Sequence, residues 1–96
     1  MKLQIDVPDY SPERGLRVIW EPDHRIVARR AGEVLVIEAN GGGLVTLARL
    51  LLTLAQPQVP DGHHIHLDAS NGLEDNSCEL LIARVSDPEI VAPPSH

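Results

Sequence analysis

One stretch, NGGGLVTLARLLLTLAQP (residues 40–57), limits the architecture more than any other. Leu44, Leu47, Ala48, Leu51, Leu54 and Ala55 recur at the three-to-four-residue spacing of one helical face, while Thr46, Arg49, Thr53 and Gln56 form a narrow polar stripe. The helix begins after Asn40, with Asn40 or a glycine as its cap, and ends before Pro57. Val45, Leu50 and Leu52 widen the apolar face beyond what one sheet needs. Either loops and an N-terminal arm cover the surplus, or it serves a dimer or partner contact. The glycines raise the idea of an anion cradle, but no Lys or hydroxyl follows them, so they read as a strand-to-helix turn.

Around that helix the chain reads as strands. Leu16–Trp20 is rich in β-formers, 25–29 alternates, and 34–39 (VLVIEA) is strongly β-branched, which suggests a three-strand meander. His63–Asp68 and 77–85 make two more, joined by ASNGLEDN as a hairpin loop. Residues 1–15 read as an edge strand or a loose arm, and 86–96, with three prolines, as a mobile tail. The expected architecture is α+β: an antiparallel sheet of four to five strands with one long helix packed on one face, a two-layer sandwich. At 96 residues it is expected to be a single domain.

Charge and composition remove several classes of function. Net charge is −6, with neither the clustered basic residues a nucleic-acid backbone requires nor the aromatics of a stacking platform, since Phe is absent and Trp and Tyr occur once each. Residues 61–96 hold seven acidic side chains against one basic, Arg84, so the negative field is concentrated there. That field either serves solubility or steers a basic partner. The lone Cys78 excludes an internal disulfide and a paired-cysteine zinc finger, and reads as a small buried apolar residue. No apolar run is long enough for a bilayer, and Asp6 and Pro8 interrupt the N-terminal segment before a signal sequence forms, so a cytoplasmic protein without membrane contact is expected.

DGHHIHLDAS (61–70) gathers three of the five histidines. In a strand, Ile65 and Leu67 point one way and His64, His66 and Asp68 the other; the helix needs the apolar pair beneath it, which leaves the imidazoles and carboxylate on the open face. Alternate residues lie about 6.6–7 Å apart, close enough for two imidazoles to share a metal. If an ion is held, its ligands are His64, His66 and Asp68, with His24, Glu38 or Glu79 as further donors; no metal or cofactor is expected as a resident group. The first metal motif of metallo-β-lactamase-like hydrolases is similar, but Ala69 stands where that motif has histidine. No nucleophile elbow surrounds Ser70, Ser77 or Cys78, so no catalytic residue is assigned.

The order of glycine turn, leucine-rich helix, Gly62-x-His64-x-His66-x-Asp68 and Ser77-x-Glu79-Leu80 over residues 34–86 resembles the small immunity proteins of bacterial polymorphic toxin systems. The resemblance implies an α+β fold and a non-enzymatic task, binding and neutralising a cognate toxin, a nuclease with a basic surface. His64, His66 and Asp68 would then be contact residues, with Glu74, Asp75 and Glu79 supplying field. A small metal-binding protein or metallohydrolase using His64 and His66, and a homodimer, are the competing readings.

Overall fold

The computed structural model describes residues 1–86. Its elements run β1 (Ile26–Ala31), β2 (Val34–Ala39), α1 (Gly41–Leu54), β3 (His64–Leu67) and β4 (Leu80–Ala83). The fold is α+β, as expected, but the strands form two separate antiparallel pairs, β1–β2 and β3–β4, rather than one sheet of four to five. The tail expected to be mobile lies, from residue 87 on, outside the described residues. Among the described residues no helix is long and apolar enough to cross a membrane.

The β1–β2 hairpin is set by its turn. Ala31 pairs with Val34 across Gly32-Glu33, and Gly32 takes φ of +64°, which a two-residue turn demands at that place and glycine adopts without strain. The register then brings Ile26 opposite Ala39 and Ala28 opposite Ile37.

The single sheet fails for a physical reason visible at the other edge of β1. There the β3–β4 connection takes the place of a third strand: Glu74 N–H donates to the Ile26 carbonyl at 2.8 Å, Cys78 N–H to the Ala28 carbonyl at 2.8 Å, and Ala28 N–H to the Ser77 hydroxyl at 3.2 Å. ASNGLEDN is therefore not a plain hairpin loop. It turns tightly at Asp68, whose carbonyl accepts from Asn71 and Leu73, and then lies along β1 as a brace between the two hairpins.

Leu16–Trp20 is not a strand either. Leu16, Val18 and Trp20 alternate toward the core, so the period-two pattern is real, but among the described residues no neighbouring strand meets the segment's backbone. The N-terminal region is an arm, with a small Ser11–Gly15 bridge, that lies along α1. Asp6 and Pro8 carbonyls accept from Arg49 Nε (3.0 Å) and Gln56 Nε2 (2.8 Å), Tyr10 N–H donates to Gln56 Oε1 (3.1 Å), and Glu21 N–H donates to the Thr46 hydroxyl (3.0 Å).

That arm rotates the helix relative to expectation. Thr46 and Thr53, assigned to the polar outer stripe, are 0% and 1% exposed, while Leu44, Leu51 and Leu52 are 57%, 50% and 45% exposed. Ala48 and Ala55 are exposed as well. The helix has three sectors: Gly43, Leu50 and Leu54 face the core, the threonines, Arg49 and Gln56 face the arm, and a leucine-alanine sector is bare. The polar stripe buries because the arm bonds Thr46, Arg49 Nε and Gln56, while Thr53 Oγ1 donates to the Arg49 carbonyl at 2.7 Å; Arg49 Nη1 alone is buried without a partner among the described residues. Asn40 caps the N-terminus, accepting from Gly43 N–H at 2.8 Å.

The core comprises Ile26 and Ala28 of β1, Leu50 and Leu54 of α1, Ile65 and Leu67 of β3, Leu80 of β4, and Val59 and Leu73 from the connections. Tyr10, Leu16, Val18 and Trp20 of the arm pack against it. With no Phe, these branched side chains must fill the interior by interdigitation.

Candidate functional site

Strand parity in β3 is as the alternation predicts. Ile65 and Leu67 are buried with Leu50 and Leu54, and His64 and His66 are exposed on the opposite side. Pairing with β4 places Ala83 opposite His64, Leu81 opposite His66 and Leu80 opposite Leu67. Continued by one pair, this register sets Glu79 across from Asp68 at the end of the hairpin. Sequence reasoning missed Leu81, which is 64% exposed on this outward face. The signal was present: Leu80 and Ile82 go to the core, so Leu81 between them must go out.

His66, Asp68 and Glu79 converge. One ligand atom from each lies within 4.8 Å of the others, and His66 Nε2 is 3.5 Å from Glu79 Oε2. His64 is not part of this group; its Nδ1 lies 3.2 Å from the Gly62 carbonyl oxygen. The ligand set suggested by the sequence, His64 with His66 and Asp68, is thus replaced by a pair from the β3 end and a carboxylate from the β4 entry. Of the further donors considered, only Glu79 is in the group: His24 stacks on Trp20 with ring centroids 4.9 Å apart, and Glu38 pairs with Arg29 at 2.8 Å.

Asp68 is held in its charged form. The Ser70 hydroxyl (2.8 Å) and Ser70 N–H (2.9 Å) both donate to Oδ1, and these bonds keep the carboxyl below the ordinary aspartate value; the nearby His66 charge and the Asn71 N–H add to the effect. The same tight turn anchors the strand, since Asn71 Nδ2 donates to the His66 carbonyl at 2.7 Å. Gly72 completes it at φ of +95°, with the Trp20 indole occupying the space where a Cβ would stand.

The remaining acidic candidates sit on the brace. Glu74 is half-buried and pairs with Arg25 Nε at 2.7 Å, so a basic residue remote in sequence offsets part of its field. Asp75 is exposed. Arg84, the one basic residue of the acidic third within the described chain, is turned away from the cluster and donates to the Leu54 and Gln56 carbonyls at 2.7 and 3.0 Å. Cys78 is half-buried against the core, and the hydroxyls of Ser70 and Ser77 are engaged as described. Chemically, the outward end of the hairpin offers carboxylates and an imidazole beside an exposed leucine, an arrangement suited to gripping a cationic side chain or a divalent ion.

Comparison with known proteins adds one match: the family model described as Immunity protein 32 aligns with residues 34–85, from the start of β2 past the end of β4. No curated protein and no solved structure matches the chain.

Proposed function

The chain belongs to the Immunity protein 32 family, and on that premise we propose that it neutralises a cognate toxin by binding it directly through the outward face of the β3–β4 hairpin. The observation that carries this reading is the convergence of His66, Asp68 and Glu79 beside the exposed Leu81, side chains that the core does not use. His64 extends the contact along β3, and Glu74 and Asp75 contribute charge from the adjoining brace. Such a patch combines an apolar anchor with a charged rim, the composition of a protein-binding surface. Its charge favours a basic toxin, and a nuclease, whose active site must receive a polyanion, is the class we assign. The role is inhibition without catalysis, performed in the cytoplasm of the producing cell.

Association kinetics with a cognate toxin, sought first among the products of adjacent genes, test the proposal. Reversing charge at Asp68 and Glu79 together (Asp68→Lys, Glu79→Lys) is expected to slow association about tenfold or more at low salt and to flatten its salt dependence. Rates that ignore both substitutions would place the interface elsewhere.

The three-residue cluster also favours a second reading, a small metal-binding protein in which His66, Asp68 and Glu79 hold a divalent ion such as zinc. Elemental analysis of tag-free protein separates the two: one tightly held equivalent per chain, lost on Glu79→Gln, supports the metal reading.

A further inference from the structure

The bare sector of α1 has a regular pattern. Leu44, Ala48, Leu51 and Ala55 follow at intervals of four, three and four residues, the spacing of a coiled-coil seam, with Leu52 at its margin. All five are exposed, and the three leucines are bare to about half their surface. A half-exposed leucine row on a helix whose other two sectors are covered by the core and the arm is a contact surface awaiting an occupant. We propose that the occupant is a second copy of this chain, the two helices packing about a two-fold axis with Ala48 and Ala55 permitting close approach.

Charge selects the second copy over a basic partner. Residues 41–55 contain one charged side chain, Arg49, and it turns into the arm-facing sector, where it bonds the Asp6 carbonyl and lies 3.5 Å from Glu21. Two copies, each carrying a net charge of −6, repel most across the acidic third and least across this uncharged helix face. A basic partner gains no attraction there and gains much at the β3–β4 end. The layering allows both contacts at once. Leu50 and Leu54, on a different sector of α1, join Ile65 and Leu67 in the core, and β3 exposes His64 and His66 on the side away from that core.

Size sets the strength. A 14-residue helix is about 21 Å long and about 10 Å wide, so its face alone falls short of the roughly 800 Å² per partner of a standard interface. The dimer is therefore weak and concentration-dependent.

Sedimentation equilibrium on the full, tag-free chain decides the matter. Mean mass is expected to climb from one chain toward two as concentration rises from low micromolar to millimolar, and Leu51→Lys is expected to hold it at one chain. Leu44→Gln, at the other end of the seam, should weaken association in the same direction, with far-UV circular dichroism confirming an intact fold for both. Leu81→Lys, on the outward face of the β3–β4 hairpin, should leave the mass curve unchanged. A constant one-chain mass in the unaltered protein would sink the proposal. So would a dimer that survives Leu51→Lys, one abolished instead by Ile37→Lys on the edge strand, or a toxin whose binding is lost with Leu51→Lys but kept with Asp68→Lys.

Discussion

Two hydrogen bonds from Ser70 to one oxygen of Asp68 keep the carboxylate charged and oriented, leaving its other oxygen available outward. Because the folded-state pKa of Asp68 is depressed, its stabilising contribution is complete above the ordinary aspartate range and vanishes as pH falls through the lower folded value. Ser70→Ala removes the hydroxyl bond, the largest cause of that depression. The midpoint of Asp68 in a carboxyl-detected NMR titration is expected to move up toward the ordinary value, and the acid limb of the stability profile to move up with it. A midpoint unchanged in the variant would mean that the backbone N–H and His66 hold the charge unaided.

Among the elements, α1 depends on Asn40 for more than a cap. Its Oδ1 accepts from Gly43 N–H and from Arg25 N–H at 2.9 Å, and its Nδ2 donates to the Asp23 carbonyl at 2.8 Å, so one side chain ties the helix start to the entry of β1. Asn40→Ala is expected to cost about 2 kcal/mol, the upper end for a lost cap, measurable as a lower urea midpoint at unchanged slope. The place of the cap was legible from the sequence, which left Asn40 or a glycine as the capping residue, and the structure selects Asn40. So was the parity of β3, since alternation of Ile65 and Leu67 with histidines leaves one arrangement of lowest cost. Helix rotation was not legible. Leucines occupy two of the three sectors, and only the arm, through Glu21 N–H and the Asp6 and Pro8 carbonyls, decides that the threonines turn inward. The third strand of the expected meander failed similarly: Leu16, Val18 and Trp20 have the right alternation, but pairing is a tertiary fact that residue type does not encode. At the site, spacing along β3 drew attention to His64, whereas the fold supplies Glu79 from another strand.

For the molecule as a whole, the two proposed contacts use different elements around one small core and differ in physical origin. Toxin capture at the acidic end is electrostatic, and helix pairing is apolar between like-charged bodies. Added salt should therefore act on them with opposite sign: raising sodium chloride is expected to slow toxin association while strengthening self-association, because screening removes attraction in the first case and repulsion in the second. Measuring association rate and sedimentation mass on the same salt series checks this, and a common direction of response would show that one surface serves both contacts.

The brace along β1 has a further consequence for how the chain can be divided. The family match begins at residue 34, yet the amides of Glu74 and Cys78 inside it depend on carbonyls of Ile26 and Ala28 outside it. Those same two residues close the hydrophobic interior from below. A fragment trimmed to the matched boundaries would lose β1, leaving the Glu74 and Cys78 donors and the β2 ladder without partners and a greasy wall missing, so the matched portion is not expected to fold on its own, and β1, outside the match, is as indispensable as the part that carries the resemblance.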